Sequence, residues 1–378
     1  MAARAGLSRA SFGAAARSRI QERLRTDMAR RDGLGRQARS ALDGIVHALK
    51  PAGMDPHLPA RHLLDYVLDG PDGPRAVVAA GDPATATHLT WLVSGMGIRP
   101  HTAMWGTARE AAQLAAAQRA AGAPRPAVLA WLGYAAPTPW RILLDGPGRR
   151  GGERLADDVA AWWDFARTGA GETEDRAGEP DDDRPSLRAR GTALHGAVEA
   201  HSYGSLVAAH ALRLLAERGL QPDDVEVLDD TDGGADGDAE AGAEAGAAAT
   251  ARHAARPAER PVEALVVSGA VGLPAALAAR AGRLGLPPGR VFRAQAPGDV
   301  LARVGRALGR RRDWTDAVLL PVTPRSGLEG AAVHGHRTAR WSPAAGADAP
   351  RGYRDPGTVT LAATARVTAG LPLPPEPA

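Results

Sequence analysis

The stretch that constrains this chain most is Glu199-Ala200-His201-Ser202-Tyr203-Gly204-Ser205, which runs straight into the apolar residues Leu206-Val207-Ala208-Ala209. Small residues, Ala200 and Gly204, flank Ser202 two positions away on either side. That spacing suits a strained strand-to-helix turn, because a bulky side chain at either place would block so tight a fold of the backbone. The pattern is G-x-S-x-G with Ala in place of the first Gly. A Ser on such a turn presents its hydroxyl at the end of a sheet, which makes Ser202 the candidate nucleophile. The helix that must follow is legible. Leu206, Val207, His210, Ala211, Leu214 and Leu215 recur on one face, and Gly219 stands at a C-cap position.

Strand runs lie on both sides of this turn. Arg75–Ala80 reads as a strand closed by Gly81-Asp82-Pro83, and Leu89–Val93 reads as a second that runs into Ser94-Gly95-Met96-Gly97. A Gly-rich loop at the end of a buried strand lets backbone N–H groups approach a ligand. Gly95, Met96 and Gly97, with the N–H of Tyr203, are therefore candidate oxyanion donors. The same Gly-x-Gly also suits an ordinary tight turn. Ala127–Tyr134 is a near-continuous apolar run of the kind a fully buried parallel strand shows, and its last residue, Tyr134, is expected to line the pocket. Val262–Gly269, Val291–Ala296 and Ala317–Val322 read as later strands. Helices are expected over 8–49 (split near Gly33 and Gly35), 107–121, 155–166, 274–283 and 359–368, while 61–68 reads as a short helix or strand. Trp162 and Trp163 suit core packing better than stacking on a substrate.

This alternation argues for a mostly parallel, doubly wound α/β sheet with its site at the strand C-termini. Asp299 closes a strand downstream of Ser202, where such a fold places the acid of a Ser, acid, His series, although a turn would use the same residue. Glu199 is a harder case. A carboxylate buried beside the nucleophile is costly, so it is expected to be protonated and hydrogen-bonded, or its strand distorted.

The chain has 378 residues, 44% of them hydrophobic, enough to bury a full core. We expect a main domain over 60–371, an N-terminal helical extension over 1–59 and a short tail over 372–378. The acidic, Ala-rich stretch 229–260 is expected to be a disordered insertion, and 169–188 a solvated loop. The formal charge is only +3, and the basic groups are scattered arginines with a single lysine, Lys50, which argues against a nucleic-acid partner. With no cysteine, disulfides, thiolate catalysis and Cys-ligated zinc are excluded, and neither cofactor nor metal is expected. The sequence has no apolar run of membrane-spanning length and no signal-peptide core, so a cytoplasmic protein is expected.

Four of these stretches, in this order, resemble an α/β-hydrolase family of otherwise unassigned function. Its members carry a G-H-S-Y-G-S elbow, a V-P-G-M-G-type loop, a W-L-G-Y strand end and a late G-H-x-G-Y segment before a P-G-T turn. The counterparts here are Ala200–Ser205, Val93–Gly97, Trp131–Tyr134, and Ala349–Tyr353 ahead of Pro356-Gly357-Thr358. The resemblance spans residues 60–371 and implies a Ser hydrolase fold with Ser202 as nucleophile and Asp299 as acid. It fails at one place, since Pro350 stands where the family has the histidine that completes a triad. His334 and His336 lie upstream, and His336 is the candidate base if its loop folds over Ser202; otherwise both are exposed loop residues. His201 and His210 adjoin the elbow but are aimed away from Ser202. Two functions follow: a serine hydrolase acting on a small-molecule acyl ester through an acyl-enzyme at Ser202, or an impaired pseudo-hydrolase that binds a ligand or partner. An imidazole within about 2.6 to 3.2 Å of Ser202 would separate them.

Overall fold

The computed structural model describes residues 6–50, 57–168, 193–221, 259–277, 284–314, 316–339 and 351–375. Its centre is a sheet of eight strands: β1 (Arg61–Val67), β2 (Arg75–Ala80), β3 (His88–Val93), β4 (Pro126–Leu132), β5 (His195–His201), β6 (Ala264–Ser268), β7 (Val291–Ala294) and β8 (Val318–Leu319). Their order is β1-β2-β4-β3-β5-β6-β7-β8. β1 and β2 pair antiparallel, as do β2 and β4, and every other pairing is parallel. The helices are α1 (Ala14–Ala29), α2 (Arg36–Leu49), α3 (Pro100–Ala120), α4 (Gly146–Thr168), α5 (Gly204–Glu217), α6 (Val300–Leu308) and α7 (Val359–Thr368).

β4 shows why its run is apolar without a break. Ala127, Leu129 and Trp131 enter one core, while Val128, Ala130 and Leu132 enter another on the opposite face. A strand covered on both sides has no polar face to alternate with. The first core is closed by α4 and α5, with Trp162 and Trp163 inside it. The second is closed by α2 and α3 through residues such as Leu42, Ile45, Met104 and Leu114. Beyond β5, α7 lays Val359, Ala363 and Val367 against Val266 and Phe292. Thus α2 shares a core with β2 and β4, and Leu7 N–H reaches Asp158 of α4 at 2.7 Å.

Several boundaries differ from those read in the sequence. α4 begins at Gly146 rather than near 155. Its glycines are a packing face: a Cβ on Gly152 would lie 2.4 Å from the Cβ of His210 on α5, and one on Gly148 2.9 Å from Leu206. α3 begins earlier than expected, with Pro100 in its first turn, where the missing N–H costs nothing. β8 is only two residues long, and Pro321 just beyond it has no N–H to extend the pairing. The stretch 61–68 is a strand, β1. The expected loop at 169–188 and the expected insertion, apart from residues 259 and 260, lie outside the described residues, as do 278–283 of the expected helix 274–283. No described helix is long and apolar enough to cross a membrane.

Candidate active site

β5 ends at His201, and the chain turns through Ser202 with φ of 55°, a left-handed conformation that L side chains avoid. Three contacts hold that strain. Ser202 N–H donates to Ser268 O at 2.9 Å, carrying the β5–β6 ladder one step past the strand, and Ser205 donates to Ser202 O through its N–H (3.2 Å) and its hydroxyl (2.6 Å). Gly204 is required because a Cβ there would lie 2.6 Å from Val93 O. Ser202 is only 4% exposed.

The carboxylate comes from the end of β7. Asp299 caps α6, its Oδ1 accepting the N–H of Ala302 at 3.0 Å, and it is fully buried. The same oxygen lies 2.8 Å from His336 Nδ1, and Tyr353 donates its hydroxyl to Oδ2 at 2.8 Å. Burial alone would raise the Asp299 carboxyl. The His336 hydrogen bond and charge, the Ala302 N–H and the Tyr353 hydroxyl outweigh it and hold the group below the ordinary aspartate value. Nδ1 of His336 therefore carries the proton it donates to Asp299, and Nε2, 2.9 Å from Ser202 Oγ, is free to accept the serine proton. Ser202, His336 and Asp299 are in hydrogen-bonded series. His334 is exposed on the same loop.

His201 has a place here that the sequence reading did not assign. Its Nε2–H donates to His336 O at 2.8 Å, and its ring lies 4.7 Å from that of His336. Burial, followed by the charges of His336 and Arg354, holds its pKa well below the usual histidine value, so it is a neutral donor that steadies the loop. As expected from its position, it does not face Ser202. His210 bonds Asp145 at 3.1 Å on the outer helix layer.

Gly95 lies against Ser202, since a Cβ there would come within 2.7 Å of Ser202 Cβ and 3.0 Å of His201 O. Gly97 does not share the role expected of this loop. Its φ is 74° and its N–H is spent on Pro137 O at 3.1 Å, which removes it as an oxyanion donor. Among the described residues the N–H groups of Gly95, Met96 and Tyr203 meet no acceptor. Tyr134 also differs from expectation: it is buried, stacks on Trp131 with ring centres 5.9 Å apart, and donates its hydroxyl to Ser94 O at 2.8 Å. It braces the loop rather than lining an open pocket. Tyr203 points the other way and donates to Leu144 O at 2.6 Å.

Glu199 is neither isolated nor in a distorted strand. It accepts Ser268 Oγ–H at 2.9 Å and pairs with Arg354, which also reaches Glu110 at 2.8 Å, and all three charged side chains are buried. Burial would lower the Arg354 guanidinium, but the carboxylates of Glu199 and Glu110 outweigh it and keep it charged. Thr338, two residues past His336, donates to Glu110 at 2.7 Å, while the N–H groups of Tyr353 and Arg354 bond Arg337 O and Thr338 O. The His336 loop is thus fastened to α3 by Thr338 and to β5 by His201, and Arg354 ties the segment beside it to both elements.

The sequence reading gave no part in the site to Tyr353, Arg354, Glu110 or Gly269, although it quoted Tyr353 within the segment Ala349–Tyr353. For Arg354 a signal existed, since a carboxylate in a central strand requires a cation somewhere. Gly269, with φ of 53°, was quoted only as a strand end, yet a Cβ there would lie 2.7 Å from Asp299 Oδ2.

The profile of a family described as alpha/beta hydrolase matches residues 69–228, which run from the turn before β2 past the elbow helix. The chain has an α/β-hydrolase fold. In this fold the imidazole beside Ser202 belongs to His336, and Pro350 lies outside the described residues. Among solved structures, an esterase of the fungus Rhizomucor miehei is 13% identical with a TM-score of 0.34, over 75% of this chain and 79% of that one. The dienelactone hydrolase of Anabaena variabilis is 14% identical with a TM-score of 0.32, over 70% and 87%. An esterase of the archaeon Pyrobaculum calidifontis is 12% identical with a TM-score of 0.32, over 82% and 88%. Likenesses this low say nothing about substrate. The sequence matches no curated protein significantly.

Proposed function

We propose that this α/β hydrolase is a serine hydrolase that cleaves acyl esters of small molecules through an acyl-enzyme at Ser202. The observation that carries the reading is the His336 imidazole, 2.9 Å from Ser202 Oγ on one side and 2.8 Å from Asp299 on the other. In the first step Ser202 Oγ attacks the acyl carbonyl carbon as its proton passes to His336 Nε2, and the carbonyl oxygen becomes an oxyanion. Tyr203 N–H and the N–H of Gly95 or Met96 receive that oxyanion. The C–O bond to the leaving group then breaks and His336 returns the proton, releasing an alcohol. In the second step water gives its proton to His336, attacks the acyl carbon and frees the acid and Ser202. Asp299 holds the Nδ1–H tautomer and balances the imidazolium that forms. A binding protein without catalysis is the weaker reading, because it rested on a missing base.

The test is labelling with a fluorophosphonate together with turnover of a short p-nitrophenyl ester. Wild type should be labelled at Ser202. Ser202→Ala and His336→Ala should each lower kcat by roughly four to six powers of ten, and the double variant no further, because members of a triad act as a unit. Full activity in Ser202→Ala would sink the reading.

A further inference from the structure

α6 is an amphipathic helix turned inside out. It buries only its small residues, Ala302 and Gly305, with Gly305 against Val271. Val300, Leu301, Val304 and Leu308 instead face solvent, 54%, 58%, 44% and 63% exposed. At 100° per residue these four fall within about 100° of the helix circumference, a continuous stripe. They make up half of the large exposed apolar side chains among the described residues. Two more, Leu143 and Leu144, stand on a turn tied to the end of α6: Arg311 donates to Ile142 O at 2.6 Å and lies over the ring of Tyr203, which holds Leu144 O.

The polar border of this stripe has one sign. Residues 300–312 contain five arginines and no acid. Arg306 pairs with Asp313 and Arg311 is buried, whereas Arg303, Arg310 and Arg312 are exposed and, among the described residues, have no acidic partner. Asp299 is the N-cap of this helix, so the stripe adjoins the triad at the C-terminal edge of the sheet.

We propose that α6, with the Leu143-Leu144 turn, is a docking surface for an anionic lipid layer, which it would approach with the active-site edge of the sheet. Exposed leucines and valines beside exposed arginines are what the interfacial region of such a layer accepts: apolar side chains enter the acyl boundary while guanidinium groups meet phosphates. A second copy of the chain fits poorly. A two-fold contact through this stripe would set the same arginines against each other, and a nine-residue helix about 13 Å long offers much less than the roughly 800 Å² per partner of a stable interface.

The test measures partitioning of the full wild-type chain onto vesicles of ether-linked phosphatidylglycerol and phosphatidylcholine. These carry no ester, so binding is read independently of the proposed hydrolysis. Binding should exceed that to pure phosphatidylcholine by about tenfold or more and weaken as salt rises. Arg303→Gln and Arg310→Gln should each weaken it about fivefold. Leu301→Ser with Leu308→Ser should weaken it about tenfold or more. Because these side chains are exposed, the variants should keep the wild-type circular dichroism and turnover of a soluble ester. Equal partitioning to neutral and anionic vesicles, or binding indifferent to all the variants, overturns the proposal. So does a dimer in solution that Leu301→Ser dissociates, which would assign the stripe to a second copy.

Discussion

Ser202 is held mainly by the chain on either side of it, through its left-handed φ, Gly204 and the two bonds from Ser205. His336 is held almost entirely by residues far away: Asp299 on its ring, His201 on its carbonyl, and Tyr353, Arg354 and Glu110 on the two residues after it. A strained turn needs only the right small residues at fixed offsets, so it can be written into a short motif. A loop fastened by hydrogen bonds from α3, β5, the cap of α6 and the segment before α7 has no motif, because its parts share no spacing. The two halves should therefore fail differently when altered.

The largest effect is expected at the acid. Asp299→Asn leaves the elbow intact but presents an amide where His336 needs an acceptor, which favours the wrong tautomer. We expect kcat to fall by about four powers of ten, as in other serine enzymes. A loss below tenfold would break the idea that the base depends on its remote partners.

Next comes the cation shared by Glu110 and Glu199. Arg354→Met strands two buried carboxylates and should cost about 3 to 5 kcal/mol in denaturant unfolding, although Arg354 touches none of the triad side chains. Adding Glu110→Gln and Glu199→Gln should restore much of this, since replacing a whole buried ionic cluster is far milder than breaking it. A single variant as stable as wild type would mean that the base loop is fastened elsewhere.

How far the sequence reached follows the same division. Ser202, the strands around it and helix Val359–Thr368 were legible because each is a local pattern. Asp299 was legible from its place at a strand end. His336 was put ahead of His334 only on the condition that its loop folds over Ser202, since nothing local says which ring meets a serine 134 positions away. Glu199 was seen as a problem without its answer, Arg354. The start of α4 was missed because Gly146, Gly148, Gly151 and Gly152 read as breakers, while in the fold their lack of a side chain lets α4 press onto α5.

The smallest effect sharpens the comparison at a single hydroxyl. Tyr353→Phe removes one donor from Asp299 and should cost about 1 kcal/mol near neutral pH. Its sign with pH can be worked out. The folded Asp299 carboxyl lies below its unfolded value, so its contribution is complete above about pH 4 and is lost as pH falls through the folded value. Without the Tyr353 hydroxyl that gap narrows, and the deficit against wild type should shrink as the protein is acidified. Thermal midpoints between pH 7 and pH 2 would show it. Parallel curves would mean that Tyr353 does not act on Asp299.

The separation of Ser202 from its base has a consequence in time. During synthesis the elbow is made well before His336, and Tyr353 and Arg354 follow later still. Contacts between residues so distant in the chain form late, after the cost of closing the intervening loop has been met. Until that last stretch docks, Ser202 is an ordinary alcohol on a finished turn. Under the proposed mechanism the nascent chain would carry its serine unarmed, and labelling of Ser202 would report on whether the C-terminal quarter has folded.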